Sequence, residues 1–141
     1  MDSPGFTASK KGDIMSVYLT VGALDSARSN AFYDAALATI GWKTHTEFPD
    51  WRAYSEGGTG NGPVLWVCKP FNNEPASAGN GSMVGFMVQS RQDVDAFYQA
   101  GMANGGMDEG APNPRPHYGP HWYAAYMRDP AGNKISVVYN G

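Results

Sequence analysis

AFYDAALATIG, residues 31–41, returns as AFYQAGMANGG, residues 96–106, with Ala, Phe, Tyr, Ala, Ala and Gly kept at six of the eleven aligned positions. Self-similarity of this kind marks a duplicated supersecondary unit. Two copies are too few for a solenoid, so the expectation is a domain with an internal pseudo-twofold.

The residues around each copy agree with that. Before the first, Val17, Leu19 and Val21 alternate with Ser16, Tyr18 and Thr20. Before the second, Val84, Phe86 and Val88 alternate with Met83, Gly85 and Met87. A period of two sends successive side chains to opposite faces of a strand. Within the repeats Phe32, Tyr33, Ala36, Leu37 and Ile40, and then Val94, Phe97, Tyr98, Gly101 and Met102, form helical stripes. Asp25 or Ser26 caps the first helix, and Ser90 with Asp93 forms a capping box on the second. Strands are expected near residues 41–47, 51–56 and 63–70, then, after a glycine-rich connection, near 122–128 and 134–140. The pattern is strand, helix, then strands, twice over. It predicts an α+β fold whose sheets carry helices on one face and leave the other free to curl around a cavity.

Composition narrows the function. The 141 residues suit one domain, residues 15–141, with modules of about 15–70 and 82–141; residues 1–14 have no clear periodicity and are set apart as a flexible tail or expression remnant. Net charge is −3 with scattered basic residues, which gives no footprint for nucleic acid. No apolar run approaches the ~20 residues of a membrane span, and the start of the chain lacks a signal-peptide core. The single cysteine, Cys68, excludes an internal disulfide framework and suits a reducing, cytoplasmic setting.

Together AFYDAALATIGW, RQDVDAFYQAGMANGG and GAPNPRPHYGPHWYAAYMRDPAGNKI resemble the glyoxalase/bleomycin-resistance/extradiol-dioxygenase superfamily, the vicinal oxygen chelate proteins. The Asp129-Pro130-Ala131-Gly132-Asn133 turn is the most specific element. The resemblance implies two βαβββ modules forming a half-open barrel around a small-molecule site, and a homodimer. It also implies a divalent metal held by His, His and Glu at three positions, which here are Ser16, Met83 and Ser136. Neither a neutral hydroxyl nor a thioether suits such a cation. A register slip of one residue at any of the three restores no His or Glu. The expected site is therefore metal-free and without a cofactor.

Other residues carry weaker signals. His117 and His121 have a helical metal-pair spacing, but Gly119 and Pro120 between them argue for a loop. By resemblance that loop borders the pocket, so Arg115, His117, Tyr118 and His121 are candidate ligand-binding residues, with Arg115 suited to an anionic substituent. Cys68 and Ser136 lack a partner base and read as a packing thiol and as pocket wall. Residues 57–62, GGTGNG, run into Pro63 and a strand, so they form a hairpin turn and no phosphate cradle. Tyr18, Trp66, Met83 and Met87 face the cavity by parity, with Trp51, Trp122 and Tyr126 as further candidates. Such a surface suits an apolar or aromatic small molecule. Two functions compete: a binding protein without metal, or a glyoxalase-like lyase, isomerase or dioxygenase drawing on His117, His121, Glu109 or Asp129, or needing no metal at all.

Overall fold

The structure, a computed structural model, describes residues 15–141, so the proposed tail lies outside the described residues. The first module runs β1 (Tyr18–Gly22), α1 (Ser26–Ala38), β2 (Trp42–Phe48), β3 (Trp51–Glu56) and β4 (Val64–Cys68). The second runs β5 (Val84–Met87), α2 (Arg91–Ala103), β6 (Met107–Pro114), β7 (Trp122–Arg128) and β8 (Lys134–Asn140). The sheets are ordered β1-β4-β3-β2 and β5-β8-β7-β6, with β1 parallel to β4, β5 parallel to β8 and the other pairs antiparallel. One topology appears twice. This is the α+β arrangement of two βαβββ modules, with each four-stranded sheet left open.

The helix starts follow local chemistry. Asp25 accepts from Arg28 N at 3.1 Å, and Ser90 Oγ from Asp93 N at 3.1 Å, each satisfying an amide that the first turn leaves without a partner. Residues 57–62 form the turn between β3 and β4, as Pro63 required. The connection after α2 differs from its sequence reading: residues 107–114 pair with β7 as the edge strand β6. Two register shifts, at Asp108/Gly110 and Gly110/Asn113, absorb its glycine and prolines. Proline is tolerated on a sheet edge, where its missing N–H breaks no ladder.

One buried cluster joins the modules: Phe32, Tyr33 and Leu37 from α1, Phe97 and Val94 from α2, and Phe86, Met127, Ile135 and Val137 from the second sheet. Gly101 lets the helices approach. A Cβ there would lie 2.7 Å from Met127 Sδ and 3.0 Å from Phe32 Cε1. Gly101→Ala is therefore expected to destabilise the protein by about 1–3 kcal/mol, although alanine is the better helix former. A urea midpoint equal to or above the parent's would refute this. A polar junction also crosses the modules. Asn133 Nδ2 donates to Gly22 O at 2.8 Å, and Tyr33 on α1 donates to Asp129 Oδ2 at 2.6 Å.

Candidate functional site

Strand parity is the first determinant of the site. Leu65, Val67, Phe86, Ile135 and Val137 point at the helices and are buried. The alternate residues form the open faces. On the first sheet, register aligns Thr20 with Trp66 and Ala53, and Gly22 with Cys68 and Trp51. Thr20, Trp51, Cys68, Phe71 and Pro75 line a cleft of about 470 Å³. Trp66 is only 5% exposed and meets Trp51 edge-on, ring centroids 6.0 Å apart. Trp51 is thus the tryptophan presented to the cleft, beside Phe71, with Trp66 packed behind it. Edge-to-face pairs of this kind hold a ring in a fixed orientation. Burial pushes the Cys68 thiol up to about 11, so at neutral pH it is neither thiolate nor nucleophile.

On the second sheet the register aligns Gly85, Ser136 and Tyr126 in one row. Ser136 is 2% exposed, and a Cβ on Gly85 would lie 2.9 Å from its hydroxyl, so only glycine leaves that oxygen room. Arg115 stands over this row from the loop after β6. Its Cζ lies 5.6 Å from the centroid of the Tyr126 ring, and its Nη2 donates to Ala111 O at 2.7 Å. Lys134 Nζ approaches the same ring at 5.8 Å. Gly110, at φ 149°, is where a Cβ would press on Arg115 Nη2 at 3.0 Å.

The residues singled out in the sequence fall into three groups. Ser16, just before β1, and Tyr18 and Trp66 belong to the first sheet. Met83, Met87, Ser136 and the Arg115 side chain belong to the second. Tyr18, Met83 and Met87 are 61%, 50% and 62% exposed, in keeping with an open face. His117, Tyr118 and His121 form the third group. His117 stacks on Tyr118 at 4.1 Å, and Tyr118 on Trp122 at 6.1 Å, at the outer end of β7. His121 is five positions from Tyr126, roughly 15 Å at the rise of a strand. None of the described contacts places either histidine on the Ser136 row, although Trp122, beside Tyr118, donates from Nε1 to Tyr126 Oη at 3.3 Å. Lys134, at the start of β8, is the residue the sequence reading missed. Its parity with Ser136 was the available signal.

The donors that a metal needs are also dispersed. Asp129 is fully buried and accepts from Tyr33 and its own turn; Glu109 is held by Arg128 Nε at 2.8 Å, which draws its carboxyl below the usual range. Among the described residues no three His, Cys, Asp or Glu side chains converge as a metal site. With Ser16, Met83 and Ser136 at the positions where the resemblance would put ligands, this donor set does not fit a divalent cation.

Two βαβββ modules with open sheet faces define the fold class of this chain. The chain belongs to the Glyoxalase/Bleomycin resistance protein/Dioxygenase superfamily, whose sequence profile matches residues 16–137. Among solved structures it is similar to a glyoxalase/bleomycin resistance protein from Albidiferax ferrireducens T118, at 37% identity and TM-score 0.78, covering 90% of this chain and 98% of that one. A glyoxalase-related enzyme from Fulvimarina pelagi matches at 22% identity and TM-score 0.70, over 90% of this chain and 89% of that one. A lactoylglutathione lyase from Agrobacterium tumefaciens matches at 22% identity and TM-score 0.61, over 91% and 93%. At that identity the last two speak to the fold alone. No curated protein matches the sequence. Among the described residues no helix is long and apolar enough to cross a membrane.

Proposed function

We propose that the protein binds an apolar or aromatic small molecule on its open sheet faces, without metal and without catalysing a reaction. The observation that carries this reading is the donor set: Ser16, Met83 and Ser136 stand where a chelating relative needs imidazole and carboxylate. The cleft on the first sheet offers two aromatic rings, Phe71 and Trp51, the latter backed by Trp66. Burial of a flat ligand against such a pair needs shape and desolvation, and no reacting group. The reading includes a homodimer in the cytoplasm, a second copy covering the exposed Tyr18, Met83 and Met87.

Three measurements test it. Uncharged 1-naphthamide is expected to quench tryptophan fluorescence, and Trp51→Ala to weaken its binding about tenfold, the worth of one good stacking contact. Unchanged affinity would remove the first sheet from the site. Calorimetric titration with zinc, manganese, nickel and ferrous iron is expected to give no stoichiometric heat; tight binding of any would overturn the metal-free part of the proposal. Sedimentation as a monomer would refute the dimer.

A further inference from the structure

We propose that Arg115 and Lys134, together with the Ser136 hydroxyl, form a carboxylate-recognition subsite on the open face of the second sheet. The ligand is then an aromatic or apolar acid. This rests on the binding reading above and adds the charge of the ligand to it.

The first observation is unspent hydrogen-bonding capacity. A guanidinium carries five N–H donors. Among the described residues, only one of those on Arg115, on Nη2, has an acceptor, Ala111 O, and the buried Nε has none. Among the described residues neither Arg115 nor Lys134 takes part in an ion pair. A partly desolvated guanidinium with most of its donors unpaired is costly, and an incoming carboxylate supplies two acceptor oxygens in the geometry of the fork.

The nearby acids are already engaged. Glu109 is bound to Arg128 at 2.8 Å, and Asp108 accepts from Tyr98 Oη on α2 and from Gly110 N, each at 2.9 Å. Lys134 adds to the positive field on Glu109 without bonding to it, and among the described residues neither it nor Arg115 holds a carboxylate partner of its own. Both approach the Tyr126 ring, at 5.6 and 5.8 Å, which holds them beside the Ser136 row. None of the described hydrogen bonds engages Ser136 Oγ, leaving it free to donate to the same carboxylate. Lys134 also borders clefts of about 320 and 610 Å³ shared with Met83, so its ammonium adjoins space that a ligand can occupy. Where the resemblance implies a protein carboxylate facing a cation, this chain presents cations. The polarity is reversed, and the ligand brings the carboxylate.

The test uses two probes of equal size, 1-naphthoate and 1-naphthamide, titrated calorimetrically at pH 7 and low salt. Naphthoate is expected to bind about tenfold or more tightly, the usual worth of a charge-assisted pair. Arg115→Gln with Lys134→Gln should reduce that ratio to near one. Both side chains are partly exposed, and an unchanged melting temperature would confirm that the double variant folds. Equal binding of the two probes by the parent protein would overturn the subsite and leave the apolar cavity standing. A naphthoate preference that survives in the double variant would also overturn it. No heat from either probe would overturn both proposals.

Discussion

Asp129→Ala should destabilise the protein by about 4 kcal/mol, close to the whole stability of many small domains. The carboxylate is fully buried and accepts four hydrogen bonds: from Tyr33 Oη at 2.6 Å, Ala131 N at 2.9 Å, Asn133 N at 3.0 Å and Asn133 Nδ2 at 2.9 Å. Removing it strands these donors in a site with little water, and each buried donor left unpaired costs about 1–3 kcal/mol. The penalty also reaches across the modules. Asn133, oriented by Asp129, donates to Gly22 O at the end of β1, while Tyr33 belongs to α1. The turn is thus a latch between the two halves as well as the entry to β8. Tyr33→Phe removes a single bond of the set and is expected to cost about 1–2 kcal/mol. Urea unfolding of the two variants checks the order, and an Asp129→Ala midpoint equal to the parent's would sink the latch.

Stability should fall steeply above pH 10. Tyr33 is held well above the usual tyrosine value, first by burial, then by the adjacent Asp129 charge and its hydrogen bond, and slightly by Tyr54. Tyr54 is also raised, first by burial and then by the hydrogen bond and charge of Asp34, with Arg52 opposing. The sign follows from proton counting. Below pH 10 both states carry the phenolic protons, and the full stabilisation is present. Above pH 10 the unfolded chain releases them while the folded chain keeps them, so stability is lost as pH rises toward the folded-state values. Each tyrosine contributes up to about 1.4 kcal/mol per pH unit. The loss from pH 10 to 11.5 should therefore be visibly shallower in Tyr33→Phe and in Tyr54→Phe than in the parent. Parallel curves for all three proteins would refute the assignment.

Local patterns account for much of what was legible. The repeat at residues 31–41 and 96–106 announced two modules because equivalent helices must bury equivalent stripes. Alternation along residues 83–88 separated core face from open face because a strand has no other period; along residues 16–21 it did so only at Val21, since Val17 and Leu19 are exposed. Asp25 and Ser90 were recognisable as caps because a cap is chemistry within three residues.

Strand β6 was not legible, since its glycine and prolines suit an edge only when a neighbouring strand is there to pair with. Nor was the division between Trp51 and Trp66. Both have the right parity, and the choice of which faces the cleft depends on how the 70–77 segment covers the sheet. The three-way split of the candidate site residues has the same origin. Arg115, His117 and His121 are close in sequence, yet one side chain turns back over Gly110 to Tyr126 while the others stay at the far end of β7.

The sequence by itself determined the modules, their sheet faces and the absence of chelating side chains at Ser16, Met83 and Ser136, because each depends on residue type and on periods of two or 3.6. Only the tertiary structure decided that Asp129 bonds to Tyr33 and that Arg115 and Lys134 meet at one ring. Those are contacts between distant segments, and their partners are chosen by the path of the folded chain.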